Sequence, residues 1–253
     1  MSSLNLTKRK SAAASLEEIE DGWRLSIEKG EAGTYRLAQL DNYSELPRRS
    51  FPPRAPTSLQ LRARASHHLS PGTWGFGLWN DPFGFSLGLG STPGRLPTLP
   101  NAAWFFFAAP ENHLALRNGV NGNGSLAAVI SSPRIPTLLL ALALPFLPFL
   151  PLRPTSRLLR RILARVIEQA QLALSHDVTQ WHEYSIIWNQ IGMEFKVDEQ
   201  IVLKTASVPR PPLALVVWID NQFAAWRPNG SLANGTLATP ADSWVEITGL
   251  NLN

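Results

Sequence analysis

The sequence predicts an all-β chain, a two-sheet antiparallel β-sandwich (jelly roll) carrying one helical insertion. Three observations lead there. Short runs of alternating apolar and polar residues recur from Trp23 onward, the period-two signature of half-buried strands. Proline and glycine cut these runs apart at close intervals, as turns do in all-β chains. A helical period occurs in one stretch alone, within 131–178.

Residues 1–20 combine charge with few large apolar groups and are expected to form a disordered tail, ahead of a single sandwich domain over 21–253. Strands are expected at Trp23–Glu28, Thr34–Leu40, Ser58–Ser66, Thr73–Asn80, Phe83–Leu87, Ala103–Ala108 and His113–Arg117. The clearest alternation is SLQLRARAS, where Leu59, Leu61, Ala63 and Ala65 face one way and Gln60, Arg62 and Arg64 the other. Past residue 180 the pattern resumes, with Met193, Phe195 and Val197 alternating against Glu194, Lys196 and Asp198. PLALVVWID is a more continuous apolar run, as a central strand requires, and SWVEITGLNL closes the chain.

The insertion has two parts. Thr137–Leu152 carries no charge, but Pro145, Pro148 and Pro151 interrupt it, and a spanning helix needs about 20 unbroken apolar residues. Thr155–Leu174 then reads as a helix capped by Thr155 or Ser156. Leu158, Leu159, Ile162, Leu163, Val166 and Ile167 form one stripe, with Arg157, Arg160, Arg161 and Arg165 mostly off it. Two readings stand side by side. The stripe packs on the sandwich, or 137–167 acts as a lid or a peripheral contact with an anionic membrane surface.

Composition excludes several functions. The 253 residues are 44 % hydrophobic and 17 % charged, enough apolar material for a sizeable core. The absence of cysteine excludes disulfides, a thiol nucleophile and thiolate metal sites. The net charge of +4 is local: 131–175 holds six arginines against Glu168, and the rest of the chain is close to neutral. A nucleic-acid binder spreads basic residues over a docking face, so no nucleic-acid partner is expected. The histidines lack metal-ligand spacing and the glycine runs match no nucleotide fingerprint, so neither metal nor cofactor is expected. MSSLNLTKRKSAAAS has no apolar signal region, which leads to a cytoplasmic, membrane-peripheral expectation.

Three segments carry a family resemblance: GTWGFGLWND at 72–81, HEYSIIWNQIGMEFKVDEQIVLKT at 182–205, and SWVEITGLNL at 243–252. In order and spacing they resemble the concanavalin A-like lectin/glucanase superfamily, and within it the family 16 glycoside hydrolases. That resemblance implies two antiparallel sheets with a glycan-sized groove across one of them. It also implies a Glu-x-Asp-x-(x)-Glu strand soon after the Gly-x-Trp segment, since retaining hydrolysis needs two carboxyls about 5–5.5 Å apart. This chain departs there, reading NAAWFFFAAPEN at 101–112. Rings of Trp104, Phe105, Phe106 and Phe107 stand where the resemblance puts acids, so the catalytic pair does not carry over.

Two echoing segments remain, Trp79-Asn80-Asp81 and Trp218-Ile219-Asp220. Period-two geometry sets each Trp and Asp on one face. A carboxyl against indole rings loses hydration and becomes a general acid near neutral pH. The candidate catalytic residues are therefore Asp81 and Asp220, and the candidate ligand-binding residues Trp74, Trp79, Trp104, Phe106, His113, Trp218 and Gln222. The alternative is that each Asp caps a turn. Three function classes follow. One is a carbohydrate-related protein, binding glycan or hydrolysing it through a non-standard site. Another is an acid/base enzyme or carrier (isomerase, cyclase or hydratase) for an apolar small molecule in a ring-lined pocket. The third is a sandwich used for protein contact.

Overall fold

The computed structural model describes residues 4–82, 98–136, 140 and 149–253. Its strands are β1 (Thr7–Lys10), β2 (Ala14–Ile19), β3 (Gly22–Ile27), β4 (Leu37–Asp41), β5 (Thr57–Ala65), β6 (Thr73–Trp79), β7 (Ala102–Ala108) and β8 (Gly124–Ser131). A helix, α1 (Arg153–Val166), precedes β9 (Glu168–Ala173), β10 (His182–Trp188), β11 (Met193–Val197) and β12 (Gln200–Thr205). The chain ends with β13 (Ala214–Asp220), β14 (Gln222–Trp226), β15 (Leu232–Thr236) and β16 (Ser243–Leu252). Two seven-stranded sheets result, in the orders β1-β4-β13-β6-β7-β8-β9 and β12-β11-β10-β5-β16-β3-β2, with β14-β15 as a separate hairpin. Every pairing between these named strands is antiparallel. This is the expected sandwich.

Alternation decides what lies between the sheets. In β5, Leu59, Leu61, Ala63 and Ala65 turn inward, as their spacing predicts. In β6, Trp74, Phe76 and Leu78 join the same core, while Gly75, Gly77 and Trp79 face outward. The neighbouring strand β7 sends Ala103, Phe105 and Phe107 inward as well. Trp74 stacks flat on Phe107, with ring centroids 3.7 Å apart and planes within 3°. Each such ring, fully buried, contributes about 2–3 kcal/mol of transfer free energy. A one-residue slip would exchange this core for the outer face, so the register is firmly specified.

The nine tryptophans divide by location. Trp74 and Trp188 are core. Trp79, Trp104 and Trp218 lie on the outer face of the first sheet. Trp226 donates its indole N–H to Ser156 Oγ of α1 at 2.8 Å. On the second sheet's outer face, Arg24 and Arg64 lie over the Trp244 ring and Arg62 and Arg64 over Trp181, whereas Trp23 packs against the inter-sheet core with Lys8 of β1 over its ring. Glu246 joins Arg24 and Arg64 by ion pairs of 2.6 and 2.7 Å. That outer face is closed by its own charges.

Several expectations need correction. The expected tail forms β1 and β2, which pair with β4 and β3 as the outermost strands of the two sheets. Its charge is no sign of disorder, because sheet edges tolerate and favour charged residues. The helix ends at Val166 instead of Leu174, and Glu168–Ala173 becomes the edge strand β9 beside β8. The predicted strand His113–Arg117 is a loop with one bridge, His113 to Ala225. β8, missed beside its glycine-rich turn, is a full strand. The expected strand Phe83–Leu87 and most of 137–148 lie outside the described residues.

Candidate functional site

The first sheet's outer face carries a pocket, and glycines explain its shape. β6 lies between β13 and β7, and its residues Gly75 and Gly77 are outward-facing. Gly75 pairs with Trp218 on one side and Phe106 on the other, and Gly77 pairs with Val216 and Trp104. A Cβ on Gly75 would meet the Phe105 carbonyl and come within 2.9 Å of the Trp218 ring. On Gly77 it would lie 2.5 Å from Trp104 Cα and Cβ. The missing side chains let flanking rings lean over the middle strand. Centroids lie 5.6 Å apart for Phe106 and Trp218, 5.8 Å for Trp104 and Trp218, 5.3 Å for Trp104 and Phe106, and 6.1 Å for Trp79 and Trp104. These tilted spacings are the favoured ones for aromatic pairs.

The pocket above this panel holds about 770 Å³ of empty space, counting the part open to solvent. Its polar residues come from several elements: Tyr35 and Gln39 around β4, Thr73 of β6, Asn112, Asp220 of β13, and Gln222 of β14. Asn112 is fixed by donating to the Gly72 carbonyl and accepting from Ala224 N at 3.0 Å. Gln39 donates to Asp41 Oδ2 at 2.8 Å. Tyr35 Oη is buried and has no hydrogen-bond partner among the described residues. Burial and the nearby Asp220 charge push that phenol well above its ordinary value.

Asp220 is the one carboxylate among the described residues lining the pocket. Its Oδ1 accepts from Thr73 N at 3.2 Å, Thr73 Oγ1 at 2.8 Å and Gln222 N at 3.2 Å. Trp218 Nε1 in turn donates to Thr73 Oγ1 at 2.9 Å, locking the indole plane. No described residue donates to Oδ2. Burial drives the carboxyl up from 3.8 to about 7, against the lowering effect of the three donors. Desolvation wins because it acts on the whole ion. A carboxyl in that range both gives and takes a proton at neutral pH. The bond to Gln222 N also caps the turn, as the alternative sequence reading of Asp220 expects.

The structure brings together Trp79, Trp104, Phe106, Trp218, Asp220 and Gln222. Three other candidates fall elsewhere. Trp74 is in the inter-sheet core, because the period-two face of Trp79 is opposite to its own. His113 is absent from the pocket lining, though its neighbours Asn112 and Leu114 are in it. Its ring lies against Gly122, and burial, then Arg160 and Arg227, hold it below the ordinary histidine range. Asp81 is buried beyond the far end of β6 in the left-handed region, φ 45°, with its carbonyl bound by Arg48 at 2.6 Å. Asp220 pairs with Thr73 at the near end, and Asp81 lies past the far end of the seven-residue strand, which is itself about 20 Å long. The two acids therefore do not share a site. Tyr35, Gln39, Asn112 and Leu114 were not anticipated. Leu37 and Gln39 could have been found from alternation in β4, whereas Asn112 and Leu114 come from a loop with no periodic signal.

Among solved structures, the chain is similar to a Bacteroides ovatus mixed-linkage glucan family 16 glycoside hydrolase, described in complex with a G4G4G3G product. Identity is 9 %, the TM-score 0.50, and the match covers 100 % of this chain and 96 % of that one. What they share is the fold, a jelly-roll sandwich of two antiparallel sheets. A legume lectin-like domain from Entamoeba histolytica matches at 10 % identity and TM-score 0.49, over 98 % of this chain and 89 % of that chain. The LamAcat structure from Zobellia galactanivorans matches at 12 % identity and TM-score 0.44, over 90 % and 78 %. No family model and no curated protein sequence matches the chain.

Proposed function

We propose that the first sheet's outer pocket binds a saccharide unit and that the chain is a glycan-binding protein. One observation carries the reading: a contiguous panel of Trp79, Trp104, Phe106 and Trp218 bordered by Gln39, Asn112, Asp220 and Gln222. Sugar rings present apolar C–H faces that stack on aromatic rings, and hydroxyls that amides and carboxylates bind at the edges. The fold shared with the mixed-linkage glucan hydrolase, itself described with an oligosaccharide product, supports the choice of ligand class. The single acid argues against glycoside hydrolysis, which uses two carboxyls flanking the scissile bond. Isothermal titration against a panel of β-linked oligosaccharides tests this. Binding that Trp104→Ala removes, without hydrolysis, is expected; no binding by any oligosaccharide refutes it.

Asp220 favours a second reading. A carboxyl near 7, with Oδ2 free of donors and rings around it, suits proton transfer to an apolar small molecule. Ring faces beside it would steady a developing cation. On this reading the chain is an acid/base enzyme of isomerase, cyclase or hydratase type. Turnover of such a substrate that disappears in Asp220→Asn would favour it over binding alone.

A further inference from the structure

α1 leaves part of its apolar stripe facing water. The helix docks through Ser156 and Arg160, both buried. Arg160 donates to the Trp226 carbonyl at 3.2 Å, to Asn118 Oδ1 at 2.7 Å and to the Ala115 carbonyl at 2.8 Å. These three acceptors need a donor fork more than the body needs a leucine, and a guanidinium supplies it. One line of the apolar stripe is thereby left outward, while Leu159 and Leu163 are half-buried and Ile167 is buried. Leu158 is 58 % exposed, Ile162 47 % and Val166 40 %, and Phe149 and Leu152 ahead of the helix are 52 % and 55 % exposed.

Spacing of four sets Leu158, Ile162 and Val166 in one line along the helix. Arg153, Arg157, Arg161 and Arg165 form a second exposed line of the same spacing beside it. Arg153, Arg161 and Arg165 make no ion pair among the described residues, and the sequence has no acid between 149 and 167. Arg157 donates to the Asn229 carbonyl at 3.1 Å. No helix among the described residues is long and apolar enough to cross a membrane. We propose that α1 lies on an anionic lipid surface, with Leu158, Ile162 and Val166 in the acyl boundary and its arginines on lipid phosphates. An apolar line beside an unpaired cationic line is what such an interface selects. A protein partner or a second copy would bury the apolar line without requiring uncompensated arginines.

The helix does not act alone, because Arg160 and Ser156 bind it to Trp226 and Ala115. β14, which ends at Trp226, supplies Gln222, Phe223 and Ala224 to the pocket, and Leu114 also lines it. A docked helix would hold that rim against the bilayer. The proposal is independent of which ligand the pocket takes.

Co-sedimentation of the full chain tests the proposal, with vesicles of phosphatidylserine and phosphatidylcholine compared with phosphatidylcholine alone. Binding to the anionic vesicles, weakened by salt, is expected. Leu158→Ser with Ile162→Ser should abolish it while lowering the thermal melt by no more than about 4 °C, since both side chains are about half exposed. Each of Arg161→Gln and Arg165→Gln should weaken it about five-fold. Equal binding by the serine variant overturns the proposal, as does failure of the wild type to bind anionic vesicles. So does wild-type dimerisation in sedimentation velocity that the serine variant loses, in the absence of vesicle binding.

Discussion

Replacing Asp220 with asparagine should convert a pH-dependent stability into a flat one. In the folded chain the carboxyl is moved from 3.8 to about 7 by burial. Between those values the folded state keeps a proton that the unfolded chain releases, so raising the pH favours unfolding. Below about pH 4 both states are protonated and the penalty is absent; above about pH 7 it is complete. Each pH unit of displacement corresponds to about 1.36 kcal/mol, so the full penalty is about 4 kcal/mol. The amide of Asp220→Asn cannot titrate but keeps an oxygen for Thr73 and Gln222. Urea denaturation of both proteins from about pH 4 to about pH 8 measures the difference. Relative to the variant, the wild type should lose about 4 kcal/mol across that range. A difference that stays flat, or rises with pH, would refute the claim that desolvation outweighs the three donors.

Two further outcomes test the scaffold around the pocket. Gly75→Ala places a methyl against the Phe105 carbonyl and the Trp218 ring, so it should cost about 1–3 kcal/mol in chemical denaturation and shift tryptophan emission. Arg160→Met removes a buried donor from two carbonyls and Asn118. It should cost about 3 kcal/mol in the same assay, and protease cleavage near α1 should become faster.

Much of the sandwich was legible because alternation is read directly from side-chain order. Leu59 to Ala65 and Met193 to Val197 fall on the predicted faces. The aromatic half of the pocket followed from the same rule: Trp79, Trp104, Phe106 and Trp218 share parity once their strands are paired. What failed was long-range or local in ways that periodicity does not record. Alternation alone continues β6 to Asp81, but the strand ends at Trp79 and Asp81 has a left-handed backbone before Pro82. His113 was read as a strand residue, yet the groups of that segment that reach the pocket are its neighbours Asn112 and Leu114. For α1 the apolar stripe was correctly traced, but its orientation depended on three acceptors contributed by distant segments and satisfied by Arg160. Composition does not separate the charged N-terminal segment from a tail, because an edge strand resembles a solvated chain.

The central claim is that ligand meets the first sheet's outer face, at the ring panel beside Asp220. Indole N–H resonances, assigned by single Trp→Phe replacements and followed during oligosaccharide titration, test it most directly. Shifts are expected at Trp79, Trp104 and Trp218, with Trp23, Trp181 and Trp244 unmoved. Shifts confined to Trp181 and Trp244, on the arginine-covered sheet, would contradict it.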